Sequence, residues 1–129
     1  MKEFKFRVWD KLEEKMHYII GFVQIGEKVK YFIDKNKFQI RDADQIDIMQ
    51  STGLQDAHNK EIFEGDIVIF TEKKDVGNYL VSWKDESASF GFEYELIDTF
   101  ALSWFEETLP RSDKWKIIGN KYEKENNDQ

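Results

Sequence analysis

The sequence predicts a mainly β protein, a β-rich α+β chain with at most one or two short helices. Apolar and charged residues alternate over positions 2–9, which is the period of a half-buried strand. Turn-forming residues recur about every ten positions, a spacing typical of the short strands of a barrel or sandwich. The apolar run 67–70 is too short for a helix and rich in β-branched residues, which indicates a buried strand.

The first strand pattern separates two kinds of side chain. Phe6 and Val8 fall on one face, whereas Lys5, Arg7 and Trp9 fall on the other. Such alternation predicts that the first face is buried and that the second faces solvent.

A hairpin is predicted next, because β-rich runs at 16–25 and 29–33 flank a short turn at Gly26. A second turn at 34–37 leads into a strand at 38–41.

The remaining elements follow the same logic. A strand at 45–50 is predicted to end at the polar break 51–53, and 55–60 has the composition of a loop. Further strands are predicted at 67–70, 79–83, 89–96 and 115–122. Gly119 and the asparagine after it tolerate unusual backbone angles, which predicts a bulge or bend near the end of the last strand.

Residues 96–109 fit two patterns. Their apolar residues lie at helical spacing, with Asp98 or Thr99 placed to cap a helix and Pro110 just beyond its end. With a period of two, Phe100 and every second residue after it would line one strand face instead. The helix accounts for more of the apolar positions and is the favoured prediction.

One folding unit with two parts is expected. An N-terminal β subdomain, residues 1–50, would pack on a small barrel, residues 51–123, and a tail without apolar residues, 124–129, would be disordered. Gly65 and Asp66 precede a buried strand, as similar pairs do in many SH3-like barrels. The barrel is therefore predicted to be SH3-like, and the two residues are predicted to be structural.

The net charge of −7 is uneven along the chain. Residues 1–65 contain 11 Lys and Arg against 12 Asp and Glu, whereas residues 66–129 contain 8 against 14. Seven acids and no base lie between Lys84 and Arg111. The second half should therefore repel nucleic acid, because nucleic-acid binders neutralise phosphates with Lys and Arg.

The composition also excludes several kinds of chemistry. The absence of cysteine excludes disulfides, thiol nucleophiles and thiolate metal sites, and it fits a reducing cytoplasm. No apolar run approaches the roughly 20 residues of a membrane span. Positions 1–10 alternate charged and apolar residues, unlike a signal peptide.

No recognised catalytic or cofactor motif is present. The sequence has no glycine-rich phosphate loop, no nucleophile elbow and no paired histidine motif. Asp56, His58 and Asp66 lack the spacing of metal ligands, and His17 lies in an apolar run where a partly buried structural role is expected. We therefore expect no enzyme activity, no cofactor and no metal.

The aromatic residues are numerous, and most are predicted to be core. A stacking platform for bases is the alternative, although such platforms interleave aromatic residues with Lys and Arg. The residues considered for it are Trp9, Trp83, Phe90, Phe92, Trp104, Trp115 and Tyr122.

Five segments in a fixed order carry a family resemblance: residues 6–10, 50–54, 60–68, 90–92 and 117–123. Together they resemble the YopX family of small phage and prophage proteins, and the resemblance runs across nearly the whole chain. It implies a phage- or prophage-encoded protein that acts in the bacterial cytoplasm. It implies no particular biochemical activity.

The expected function is that of a non-catalytic accessory protein that binds a macromolecular partner, and self-association is also possible. Glu93, Glu95, Glu106 and Glu107 are the candidate partner-binding residues, because they lie in the base-free acidic stretch. The alternative is a nucleic-acid-binding module that uses basic N-terminal residues. Its candidate contacts, Lys5, Arg7 and Trp9, share one face of the first strand.

Overall fold

The computed structural model describes residues 5–70, 78–85, 89–96, 99–101 and 115–123. Within these ranges the chain forms twelve strands and one 3₁₀ turn, Ala43–Gln45. The prediction of a mainly β fold is confirmed. No helix in the described ranges is long and apolar enough to cross a membrane.

The chain divides between Ser51 and Thr52 into two compact units, Met1–Ser51 and Thr52–Gln129, here called the N-terminal and C-terminal units. Strand β6 passes through this boundary. Its beginning belongs to the N-terminal unit and its end to the C-terminal unit.

The N-terminal unit contains two antiparallel strand groups. Strand β1 lies between β2 and β6, and β4 lies between β3 and β5. The bounds are β1 (Phe6–Asp10), β2 (Lys15–Ile19), β3 (Gly21–Ile25), β4 (Lys28–Asp34), β5 (Lys37–Asp42) and β6 (Ile46–Gln55). The predicted hairpin at Gly26 is confirmed, because β3 pairs with β4 across a two-residue turn in which Gly26 has a φ of 60°. Glycine adopts this angle without the steric penalty that other residues incur.

The core of the N-terminal unit is formed by alternate residues of its strands. Val8, Ile19, Val29 and Tyr31 are almost completely buried. The predicted alternation in β1 is thus confirmed for Val8, but Arg7 on the opposite face is buried as well.

The C-terminal unit contains a five-stranded antiparallel sheet in the order β11-β10-β9-β8-β12. Strand β7 (Glu61–Phe63) neighbours β6, and Thr52 Oγ1 donates a hydrogen bond of 2.7 Å to the Ile62 carbonyl. The other bounds are β8 (Asp66–Phe70), β9 (Asn78–Lys84), β10 (Ser89–Leu96), β11 (Thr99–Ala101) and β12 (Trp115–Asn120).

Strand β8 lies inside this sheet, between β9 and β12, as expected for residues 67–70. Val68 is completely buried, whereas Ile67 and Ile69 are half-buried. The core also contains Ile62, Tyr79, Val81 and Trp115.

The turn before β8 explains the Gly65–Asp66 pair. Gly65 has a φ of 90°, and the Asp66 carboxylate accepts a 2.8 Å hydrogen bond from the Phe63 backbone N–H. Gly65 N–H also donates to the Val81 carbonyl at 2.8 Å. Both residues therefore hold the β7–β8 turn.

The predicted bulge in the last strand is present. The register between β12 and β8 shifts between Ile117 and Gly119. The Asn120 side chain then accepts hydrogen bonds from the N–H groups of Tyr122 and Glu123, which turns the chain as it leaves the strand.

Two predictions about secondary structure were wrong, one about the end of a strand and one about a helix. Strand β6 does not break at 51–53 but continues to Gln55, because it passes from one neighbouring strand, β1, to another, β7. Thr99–Ala101 is a strand and not part of a helix, because it pairs with β10 from Leu96↔Thr99 to Tyr94↔Ala101. Pairing with an existing strand satisfies these backbone groups and overrides the helical spacing.

The remainder of the segment at 102–110 and the tail at 124–129 lie outside the described residues. The SH3-like character of residues 51–123 stays a prediction.

Candidate partner-binding surface

The sheet β3-β4-β5 has one buried face and one face open to solvent. Val29 and Tyr31 of β4 point into the core and are 1% and 0% exposed. Strand residues alternate, so the other face contains the residues between them. We call this the outer face; its members are Val23, Ile25, Lys28, Lys30, Phe32, Phe38, Ile40 and Asp42.

The outer face is unusually apolar for a solvated sheet surface. Ile25 is 77% exposed, Ile40 54%, Val23 52% and Phe38 45%. An antiparallel sheet that faces water normally presents polar residues on that side. A contiguous group of exposed apolar side chains on a small domain is typical of an interaction surface.

Lys30 lies at the centre of the outer face, in register with Val23 on β3 and Ile40 on β5. Its Nζ lies 4.1 Å from the centroid of the Phe38 ring and 5.3 Å from that of Phe32. Cation–π attraction to both rings holds the ammonium group in the middle of the apolar residues.

Lys28 occupies one end of the outer face and is paired with Asp42, whose carboxylate accepts its hydrogen bond. This hydrogen bond and the negative charge of Asp42 raise the pKa of Lys28. Because Asp42 balances Lys28, the net positive charge of the outer face comes from Lys30.

The sheet is anchored from its buried side by Asp10, the last residue of β1. The Asp10 carboxylate is fully buried and accepts hydrogen bonds from the Tyr31 hydroxyl at 2.6 Å and from the N–H groups of Leu12 and Glu13. Arg41 of β5 has its Nε 3.0 Å from Asp10 Oδ2, an ion pair without hydrogen-bond alignment. One carboxylate thus connects β1 to both β4 and β5.

These contacts determine the charge state of the network. Burial by itself raises the pKa of Asp10, but the hydrogen bonds from Tyr31 and Glu13 and the contact with Arg41 outweigh it, so the pKa is lowered. Burial, reinforced by the Asp10 carboxylate, raises the pKa of Tyr31 well above its ordinary value. Asp10 therefore stays ionised and Tyr31 stays a donor near neutral pH.

The three candidate nucleic-acid contacts do not form one exposed group. Lys5 is exposed and Trp9 is half-buried, but Arg7 is only 2% exposed. A buried guanidinium cannot approach a phosphate without a change in the fold. Arg41, another basic residue of this half, points inward to Asp10.

The acidic candidates cannot be assembled into a site. Glu93 and Glu95 lie in β10, in register with Leu80 and Asn78, but their side chains lie outside the described part of the structure. Glu106 and Glu107 also lie outside the described residues. Their role in partner binding stays a prediction.

Asp56, His58 and Asp66 are held in separate local structures. Asp56 Oδ1 accepts hydrogen bonds from the N–H groups of His58 and Lys60, and its Oδ2 accepts one from Ile117. The Asp66 carboxylate holds the turn before β8, and His58 is exposed. Within the described ranges, no group of three or more His, Asp and Glu side chains could hold a metal ion.

We expect titration of the protein with Zn²⁺ or Mn²⁺ to show no stoichiometric micromolar binding at these residues, because both carboxylates already accept backbone hydrogen bonds. Isothermal titration calorimetry tests this expectation, with His58→Ala as the matched variant. A stoichiometric transition that His58→Ala abolishes would contradict it.

His17 has the structural role predicted for it. It lies in β2, its Nε2 is 2.7 Å from Glu13 Oε1, and its ring centroid is 5.7 Å from that of Tyr31. The side chain is 10% exposed, so it is a partly buried residue with a partner.

The aromatic residues divide between core and surface. Trp115 is buried against Tyr79, whereas Trp83 is 42% exposed, contacts Phe90 edge-on at 5.0 Å and donates to Asp85. The side chain of Phe92 and residue Trp104 lie outside the described part of the chain.

Sequence reasoning did not identify the outer face. A signal was present, because β3 and β4 have apolar residues at both odd and even positions, more than a strand with one buried face requires. That excess is compatible with burial on both faces, and only the exposure of Val23, Ile25 and Ile40 in the folded chain shows that one face is open to solvent.

Comparison with known proteins identifies a family and a solved structure with a similar fold. The family model described as YopX protein matches residues 5–126. The fold is similar to that of protein EF1440 from Enterococcus faecalis, with a TM-score of 0.51, 24% sequence identity, and coverage of 90% of this chain and 91% of that one. At this identity the similarity concerns the fold alone. No curated protein matches the chain significantly.

Proposed function

This chain belongs to the YopX family, and from that premise we propose that it is a non-catalytic accessory protein that binds a protein partner. The resemblance of this chain to a family of small phage and prophage proteins, with the absence of cysteine, supports a role in the bacterial cytoplasm during phage growth. The observation that carries the proposal is the exposed apolar outer face with Lys30 at its centre.

The chemistry of the outer face favours a protein over nucleic acid. Binding of single-stranded nucleic acid combines stacking rings with several free cations along the backbone. Here Lys28 is paired with Asp42, and Lys30 already lies over the Phe38 ring. The aliphatic side chains of Ile25 and Ile40 have no donor or positive charge with which to bind a phosphate. The net charge of −7 on the chain also repels nucleic acid.

The same features describe the partner. Apolar side chains would cover Val23, Ile25 and Ile40, and a carboxylate placed over Lys30 would keep that ammonium paired when water is excluded. An apolar contact that includes an aromatic ring such as Phe38 is typical of the centres of protein interfaces, where charged residues are few. An unpaired Lys30 would instead oppose binding, because a buried charge requires a partner.

Capture of proteins from a lysate of a phage-infected bacterial host tests the proposal. The immobilised protein is compared with a Lys30→Glu/Ile40→Ser variant. Leu12→Ser serves as the control, because Leu12 is 61% exposed but lies in the turn between β1 and β2 and is not a member of the outer face. We expect a captured protein to be lost with the double variant and retained with the control. Identical captured sets for all three proteins would contradict the proposal.

Nucleic-acid binding is measured in the same preparation. We expect no retention on single- or double-stranded DNA at 150 mM salt, whereas retention that falls steeply with salt would favour the nucleic-acid alternative.

A further Glu93→Gln/Glu95→Gln/Glu106→Gln/Glu107→Gln variant tests the acidic stretch. If the acidic stretch takes part, this variant loses a captured protein while Lys30→Glu/Ile40→Ser retains it.

A further inference from the structure

Strand β3 is an edge of its sheet, and its composition is unusual for an edge. The residues of Gly21–Ile25 include no charged residue and no proline. Exposed edge strands usually carry charges or proline, which prevent pairing with another chain. The opposite edge, β5, follows that rule, because it carries Lys37, Arg41 and Asp42.

The edge is also accessible. Val23, Gln24 and Ile25 are three consecutive exposed residues, and Ile25 is the most exposed of the large apolar side chains in the described ranges. Among the strands that the structure describes, β3 has a single neighbour, β4.

The side chains of β3 are complementary to a second copy of the same strand. In an antiparallel pair centred on Val23, each Val23 lies opposite the other, and each Gly21 lies opposite the Ile25 of the second copy. A Cβ atom added at Gly21 would meet no atom within 4 Å, so the space beside this residue is open. The protruding Ile25 of one copy would fill the open space at Gly21 of the other.

Charge does not oppose this arrangement. The strand itself is uncharged, and the outer-face lysines, Lys28 and Lys30, lie one strand away on β4. Across the pair the two Lys30 strands would be separated by three strand spacings, about 14 Å. That distance exceeds the Debye length of about 8 Å at physiological ionic strength, so their repulsion is largely screened.

From these observations we propose that the protein self-associates as a symmetric dimer in which two β3 strands pair antiparallel about Val23. The two three-stranded sheets then form one six-stranded sheet whose outer faces lie side by side. The pairing does not depend on the proposed partner-binding role, because it uses the edge of β3, whereas that role is tested at Lys30 and Ile40. Five residues a side bury less than the roughly 800 Å² per partner of a standard interface, so the dimer is expected to be weak, with a Kd on the order of 10–100 μM.

Sedimentation equilibrium of the full chain tests the dimer itself. Protein concentrations between about 1 and 500 μM span the expected Kd. The wild-type protein should show a reversible monomer–dimer equilibrium. Val23→Lys should raise the Kd at least about tenfold by placing two like charges opposite each other, and Ile40→Lys, on the same face but on β5, should leave it within about twofold. A monomer throughout the range, or equal Kd values for wild type and Val23→Lys, would overturn the proposal.

Cysteine cross-linking tests the register, and the cysteine-free chain gives a clean background. Paired residues of antiparallel strands have Cα atoms about 4.5–5.5 Å apart, within the range of a disulfide. Val23→Cys should therefore form an intermolecular disulfide under mild oxidation. In Ile25→Cys the two cysteines would be offset by four residues, about 13 Å, and should stay reduced. Equally fast cross-linking of both variants would exclude this register and with it the proposed dimer.

Discussion

Replacing Asp10 with asparagine is expected to destabilise the N-terminal unit by about 3–5 kcal/mol, because it leaves the charge of Arg41 without its buried counter-ion. The amide would also keep only one of the two acceptor oxygens, so its NH₂ group would face either the Tyr31 hydroxyl or the Leu12 N–H, each of which now donates to the carboxylate. Tyr31→Phe removes one of these contacts and should destabilise the unit less, by about 1.5–3 kcal/mol, as expected for a hydrogen bond to a charged group.

Urea unfolding, with hydrogen exchange of the β1 and β4 amides to localise the effect, measures the change. Asp34→Asn is the matched control, because Asp34 is exposed and its hydrogen bond from the Asn36 N–H can be made equally by an asparagine oxygen. The control should change the unfolding free energy by no more than about 0.5 kcal/mol. Equal effects of Asp10→Asn and Asp34→Asn would show that the network does not stabilise the unit.

The pH dependence of stability follows from the direction of the Asp10 pKa shift. The pKa is lowered in the folded protein, so the unfolded state binds a proton more readily than the folded state does. The stabilisation by ionised Asp10 is therefore fully present above the unfolded pKa and is lost as the pH falls through the folded one, at pH values below about 4. We expect the stability difference between wild type and Asp10→Asn to shrink on acidification, and a difference that is constant from pH 7 to pH 3 would contradict this assignment.

Replacing Trp115 with alanine is expected to destabilise the C-terminal unit by about 3–5 kcal/mol, the usual range for removal of a buried aromatic side chain. Trp115 is 5% exposed and meets the ring of Tyr79 at 5.5 Å with the planes nearly perpendicular. The substitution removes this edge-to-face contact and opens a cavity beside Val68 and Val81, which belong to the same cluster.

Trp83→Ala is the matched control for Trp115→Ala, because it removes the same side chain from an exposed position in β9. Thermal unfolding followed by circular dichroism should show a much smaller effect for Trp83→Ala. If Trp83→Ala lowers the melting temperature as much as Trp115→Ala does, Trp115 is not a main part of this core.

The elements that depend on neighbours along the chain could be predicted from the sequence. The sequence predicts the alternation around Val8, the turn at Gly26 and the turn before β8. It does so because side-chain direction and backbone angles are set by residues within a few positions of each other. The sequence also indicated the family, because the five segments that carry the resemblance are short and follow a fixed order.

Which faces are covered and which strands are neighbours depends on contacts between residues far apart in the sequence. Asp10 contacts Tyr31, which is 21 positions further along the chain, and Arg41, which is 31 positions further. No periodicity along β1 indicates either contact. The strand at Thr99–Ala101 exists because β10 lies beside it. The exposed apolar outer face arises in the same way, since a strand pattern shows that two faces differ but not whether another layer covers either one. Alternation could be predicted and burial could not, because alternation is a property of the single strand, whereas burial is a property of the assembled sheet.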